Sequence, residues 1–328
     1  MKNTLFRRAG LVAGVSVTAL CTAMPAIGQT TPGIEEILVG DAPDGVVLAG
    51  EILLTADAQR VLGTRNEAGT HVTARVDTAI GANPGAINQQ VTATSGNAQA
   101  TITHEGATQI RAIAIGGVMG EDSSSASANS FVTFGANQLA TSDNAATVQF
   151  SNAEESVVEV LSLAEARATL SANASATLDA GIRQSAMAED VALEISNAGT
   201  MEFNTEALAE GGTGANATAR SERGLWQRVE DQPDATLSID NAAGGLIASN
   251  TAASAATQNG TASATADSRR IIQQEVRGNY FGGEDMGRNA AISLNNAGDI
   301  VAIAEADASS VMGNANTNVY ESDSKLSR

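Results

Sequence analysis

Apolar and polar residues alternate in short runs along this chain, and several runs end in the same way. Leu193-Glu194-Ile195-Ser196 is followed by Asn197-Ala198-Gly199, and the phrase returns at Leu237-Ser238-Ile239-Asp240-Asn241-Ala242 and at Ile292-Ser293-Leu294-Asn295-Asn296-Ala297-Gly298. A worn copy stands at Val148-Gln149-Phe150-Ser151-Asn152-Ala153. Alternation with a period of two predicts a strand with one buried face, and Asn-Ala-Gly predicts the turn that closes it.

The asparagines serve as a marker. Asn152, Asn197, Asn241 and Asn296 are 45, 44 and 55 residues apart, and His104 occupies the equivalent place 48 residues before Asn152. Asn66-Glu67-Ala68-Gly69 reads as a first, degraded copy. A second marker keeps step: Gly181-Ile182-Arg183-Gln184, Gly224-Leu225-Trp226-Gln227 and Arg270-Ile271-Ile272-Gln273 follow their asparagines by 32, 30 and 32 residues, and Ala86-Ile87-Asn88-Gln89 resembles them. Two markers in register make this a repeat array.

Between the markers lie tracts such as Ala172-Asn173-Ala174-Ser175-Ala176 and Ala262-Ser263-Ala264-Thr265-Ala266. Alanine at every second position fits a strand with the smallest useful inward side chain. In a helix the same period would carry alanine to every side. Alanine buries little area, so a single copy gains little from burial and stability must come from stacking one copy on the next. The turn asparagines suit a sharp corner because Asn tolerates the left-handed backbone region, and in stacked copies their amides can bond along the column. The period fits either one long rung or two rungs of about 22 residues per repeat.

Residues 1–28 differ in kind. Lys2, Arg7 and Arg8 precede an apolar run from Ala9 to Ala23, and Ala26-Ile27-Gly28 offers small residues for cleavage, the pattern of a secretory signal peptide. Cys21, the single cysteine, falls inside it, and the bulky Leu20 before it argues against lipid attachment there. Residues 29–60, rich in large aliphatic residues around the turn Gly40-Asp41-Ala42-Pro43-Asp44-Gly45, are expected to cap the array. Residues 61–328 form the array itself, and the stretch Arg277 to Arg288 reads as an insertion that lengthens one spacing to 55.

Charge narrows the function. The net charge is −19, and loss of the leader leaves 15 basic against 37 acidic residues, a net of −22, with Lys325 as the one lysine. Such a surface repels phosphate backbones and disfavours nucleic-acid binding. His71 and His104 are the only histidines and the mature chain has no thiol, so a structural zinc site is excluded and no cofactor is expected. Gly211-Gly212-Thr213-Gly214-Ala215-Asn216 resembles half of a calcium-binding nonapeptide, but it has Asn where Asp is needed and reads as a corner. Trp226, Tyr280 and Phe281, among few aromatics, are either seam cover or an exposed contact patch for a glycan or protein partner. A catalytic alternative would draw on Asp190, Glu194, Glu202 and Glu206 meeting acids of adjacent copies, though no motif singles them out.

The leader, the in-step Asn-Ala-Gly strands and the Ala/Thr/Ser alternation together resemble the β-solenoid passenger and adhesin repeats of Gram-negative bacterial surface proteins over roughly Asn66 to Asn318. The resemblance implies an all-β fold, a right-handed parallel β-helix of about five or six degenerate repeats of roughly 45 residues, and a role in adhesion or biofilm at the cell surface. The partners it implies are glycans, other surface proteins or copies of itself, with no membrane span in the mature chain. One departure stands out: the sequence shows no amphipathic strands of the membrane barrel that ends an autotransporter. The recurring Gln and Asn positions are also similar, more faintly, to the amide ladders of curlin-like amyloid subunits. The expected reading is therefore a non-catalytic, exported adhesive protein, against a polysaccharide-active enzyme or a fibre subunit.

Overall fold

The computed structural model describes residues 86–93, 96–117, 124–230, 232, 234–277 and 289–320, and beyond them only the backbone of strands within 34–39, 44–48, 51–60, 70–76, 321 and 325–327. The leader, Asn66-Glu67-Ala68-Gly69, Tyr280 and Phe281 lie outside the described residues.

Every regular element among the described residues is a strand. In chain order they are β1 (Ile34–Val39), β2 (Asp44–Leu48), β3 (Glu51–Arg60), β4 (Thr70–Val76), β5 (Ile87–Thr92), β6 (Ala98–His104), β7 (Ala107–Gly116), β8 (Ser125–Thr141), β9 (Ala145–Asn152) and β10 (Val157–Ala168). There follow β11 (Ser171–Met187), β12 (Asp190–Asn197), β13 (Thr200–Gly211), β14 (Gly214–Glu230), β15 (Asp234–Asn241), β16 (Leu246–Arg277), β17 (Asn289–Asn296), β18 (Asp299–Glu321) and β19 (Lys325–Ser327). The alanine tracts are strands, as their period of two requires.

All pairing is parallel. A six-stranded sheet runs β17-β15-β12-β9-β6-β2, and a thirteen-stranded sheet runs β1-β5-β8-β11-β14-β16-β13-β10-β7-β3, with β18 and β19 paired to β16 and β4 paired to β8 beside this path. The larger sheet curls because β16 is long enough to pair with both of its arms, its first half with β13 and its second with β14. The chain passes from the small sheet to one arm, then to the other, and back: β12, β13, β14, β15. The turn positions face one another, with Asn152 opposite Asn197, Asn197 opposite Asn241 and Asn241 opposite Asn296. Among the described residues no strand pairs with one half a repeat away.

Side-chain size follows the space available. Where the two arms face each other the apolar interior is alanine, including the columns Ala114-Ala164-Ala207-Ala253 and Ala128-Ala174-Ala217-Ala264, and buried Ser130 and Ser162 meet across it at 2.9 Å. Where the arms face the small sheet the gap is wider and holds Ile102, Phe150, Ile195 and Ile239 against Met201, Phe203 and Ile247. Each of these buried side chains contributes about 1.5–3 kcal/mol, several times what an alanine can.

Two glycine positions mark close approach. A Cβ on Gly199 would stand 2.3 Å from the Ser156 carbonyl oxygen and 2.5 Å from that of Ala153, so the Asn-Ala-Gly turns stack too tightly for any side chain there. A Cβ on Gly181 would stand 2.0 Å from the Phe203 ring. The asparagines themselves do not use the left-handed region. Glu155 is the only non-glycine at positive φ among the described residues, so the corner argument for Asn is replaced by the bonding described next.

Candidate functional site

The end of each short strand places one amide directly above another. Asn152 Nδ2 donates to Asn197 Oδ1 at 2.7 Å, Asn197 Nδ2 to Asn241 Oδ1 at 2.8 Å, and Asn241 Nδ2 to Asn296 Oδ1 at 2.8 Å. The same nitrogens reach the carbonyl oxygens of Thr200, Leu246 and Asp299 in the following strands. All are buried except Asn296, which ends the column in the open.

His104 begins the column. Because Asn152 spends its nitrogen downstream, its oxygen must accept, so His104 carries its proton on Nδ1 and donates across 2.7 Å. Its Nε2 then accepts from the Thr108 hydroxyl at 2.9 Å. Burial holds this imidazole below its ordinary pKa of 6.5, partly offset by the bond to Asn152. The ring is neutral at pH 7 and serves the stack as one more amide would.

A second ladder runs through the larger sheet. Gln138 donates to Gln89, Gln184 to Gln138, Gln227 to Gln184 and Gln274 to Gln227, at 2.8–3.1 Å, with all five side chains fully buried. Here the donors point toward the amino terminus, opposite to the asparagine ladder. The register corrects the sequence alignment in one place. Gln274, not Gln273, continues the column, because Ile272 stands opposite Leu225. Gln273 faces the other side, where it accepts from Arg223 and Arg270. Gln138 was missed because Ala136 replaces the aliphatic residue of the marker; the spacing from Gly135 to Gln138 was the signal that would have found it.

The outer faces hold the carboxylates considered for catalysis, Asp190 and Glu194 on β12 and Glu202 and Glu206 on β13. Glu194 lines a shallow groove of about 400 Å3 across the small sheet, with Thr101, Gln149, Ser238, Asp240 and Asn295, and accepts from Gln149 Nε2 at 2.8 Å. Among the described residues no arginine, lysine or histidine lines that groove. Asp190 and Asp234, opposite each other on β12 and β15, line a separate open groove of about 680 Å3. Glu202 stands opposite Glu159 on the outer side of one arm. On the same strand, burial pushes the Glu206 carboxyl above its ordinary pKa, Glu159 adds to the shift, and Arg111 opposes it. Among the described residues no group of three His, Cys, Asp or Glu side chains is placed to hold a metal ion.

Trp226 is not an exposed platform. It points outward from β14 yet keeps only 8% of its surface, because Phe134 packs against it at 6.3 Å and three guanidinium groups cover it: Arg223 at 4.2 Å from the ring centroid, Arg183 at 5.2 Å and Arg228 at 5.7 Å. Arg183 also lies 5.1 Å over the Phe134 ring. Asp179 pairs with Arg223 at 2.9 Å and Glu230 pairs with Arg228.

Comparison with family models, with curated proteins and with solved structures finds no match to this chain.

Proposed function

We propose that this chain is a β-solenoid with one coil per repeat, exported as a structural and adhesive protein of the cell surface or extracellular matrix. The observation that carries the reading is the pair of buried amide ladders. Each bond spans one repeat, 43–55 residues, so polar contacts hold successive copies in register whatever the length of chain between them. A core made largely of alanine is stabilised by such repetition and not by any one unit. The product is a stiff stack with long, flat outer faces of Thr, Ser, Gln and Asn, suited to many weak contacts with glycans or neighbouring proteins and not to enclosing one small molecule. Residues 29–60 supply the first strands of the stack and serve as its cap.

Purified, leaderless protein should be a monodisperse particle about 25–30 Å thick along the stack, six strands at ~4.8 Å, and should coat polysaccharide-bearing surfaces without degrading them. Release of reducing ends from acidic polysaccharides would overturn the non-catalytic reading. The glutamine ladder favours a second reading, a self-assembling fibre subunit, because stacked buried Gln is also what holds cross-β fibres in register. Thioflavin-positive fibres would support that alternative.

A further inference from the structure

Acids outnumber bases two to one in this chain, yet among the described residues not every arginine pairs with one. Arg183, half-buried between Phe134 and Trp226, makes no ion pair among the described residues; its Nη1 donates to the neutral Asn137 Oδ1 at 3.1 Å, and its Nε has no acceptor. Burial and then the charge of Arg228 pull its guanidinium below the ordinary value, opposed by Asp179 and Glu230, which lie near it but pair with Arg223 and Arg228 instead. Beside it the Trp226 indole Nε1 is buried without a partner. Arg270, opposite Arg223 on the next strand, donates to Gln273 and makes no ion pair among the described residues. The backbone of β19 adds to the same edge with Lys325 in register with Gln273.

An uncharged explanation is poor. Stacking on aromatic rings accounts for where Arg183 lies but not for the missing carboxylate, since Asp179 and Glu230 are close by and each serves a different arginine. The cluster offers a planar fork of donors and two carboxylates whose oxygens can accept from hydroxyl groups. A ligand carrying one oxyanion per ring and several hydroxyls fits this set. A nucleic acid does not, because its closely spaced phosphates would meet the surrounding negative surface.

We propose that the cluster of Arg183, Arg223, Arg228 and Trp226 binds the oxyanion of an acidic saccharide, a uronate carboxylate or a sulfate ester, with Arg183 as the charge that meets it. The biological setting rests on the adhesive reading above, but the binding does not.

Trp226 is the only tryptophan, so its fluorescence reports this site alone. The purified mature chain is titrated with an oligogalacturonate, a sulfated oligosaccharide of similar length, a neutral oligogalactose and a short single-stranded DNA. The expected result is a saturable emission change with one or both charged sugars, and none with the neutral sugar. Arg183→Gln should weaken it about tenfold or more. Arg167→Gln, which removes a charge paired with Glu165 and Glu210 on another strand, should leave it unchanged. Arg183→Lys keeps the charge without the planar fork and should bind less tightly than wild type; it carries the comparison if the Gln variant loses its native circular dichroism. No saturable change with either charged sugar at millimolar concentration, equal binding by the Arg183 variants, equal weakening by Arg167→Gln, or tightest binding of the DNA would each overturn the proposal. A failed titration with surface attachment intact sinks this site alone, whereas lost attachment with the titration intact sinks the adhesive reading alone.

Discussion

Replacing Asn197 by alanine removes the middle of the asparagine ladder. Its Nδ2 satisfies two acceptors, Asn241 Oδ1 at 2.8 Å and the Leu246 carbonyl at 3.1 Å, and its own oxygen accepts from Asn152. After truncation Asn152 still has the Thr200 carbonyl, but the two acceptors lose this donor in a buried place. A stranded buried group costs about 1–3 kcal/mol, so the variant should lose about 2–6 kcal/mol. Asn296→Ala is the matched control. It sits in the open and only accepts, and Asn241 keeps its bonds to the Gly245 and Asp299 carbonyls, so the loss should be about 0.5–1 kcal/mol. Urea unfolding followed by Trp226 emission measures both. A difference between them of less than about 1 kcal/mol would refute the ladder as a source of stability, since burial of the amides would then count for nothing. Asn197→Asp sharpens the test. It keeps the shape and the bond from Asn152 but turns its other oxygen toward two acceptors, so burial of that oxygen without a donor raises its folded pKa above the unfolded ~3.9. A group raised in the folded state contributes stability below its unfolded pKa and loses it as pH rises through the folded one. The variant should therefore recover toward wild type on acidification, when a protonated oxygen can donate to Asn241.

Three further outcomes follow from the packing. Gly181→Ala forces the Phe203 ring to move and should cost about 1–3 kcal/mol, partly recovered by Phe203→Leu in the same chain; a silent Gly181→Ala in thermal unfolding would show that the ring has room. Ile239→Ala in the wide part of the core should cost about 2–5 kcal/mol, while Ala217→Leu between the arms should also destabilise, by about 1–3 kcal/mol; a stabilising Ala217→Leu would mean the narrow region is underfilled. His104 has a folded pKa below its ordinary 6.5, so its contribution is complete above that pH and is lost as pH falls from there toward the folded value. His104→Asn should abolish that part of the pH dependence, read as the difference between the two stability profiles between pH 7.5 and 5, and identical profiles would refute it.

The asparagine column was legible because one phrase recurs nearly unchanged, and copies that look alike pair alike. The reason for Asn was not legible. Both a left-handed corner and an amide ladder select the same residue, and only backbone angles and distances separate them. Gln273 and Gln274 are adjacent and identical, so the sequence offered no ground for choosing; a slip of one residue moves a side chain from the interior to the surface, and the pairing of Ile272 with Leu225 made the choice. Trp226 was visible as an oddity, but its cover was not, because Phe134, Arg183, Arg223 and Arg228 come from three different strands, β8, β11 and β14.

By itself the sequence determined that the chain is built of strands, where the turns fall, and that alanine must line a narrow interior. These are local consequences of a period of two and of side-chain volume. The tertiary structure decided the curl of the larger sheet, the opposite polarities of the two ladders, and the gathering of arginines around one indole. Those depend on register between strands some 45 residues apart, as at Asn152 and Asn197, and such register is fixed by packing that no local pattern encodes.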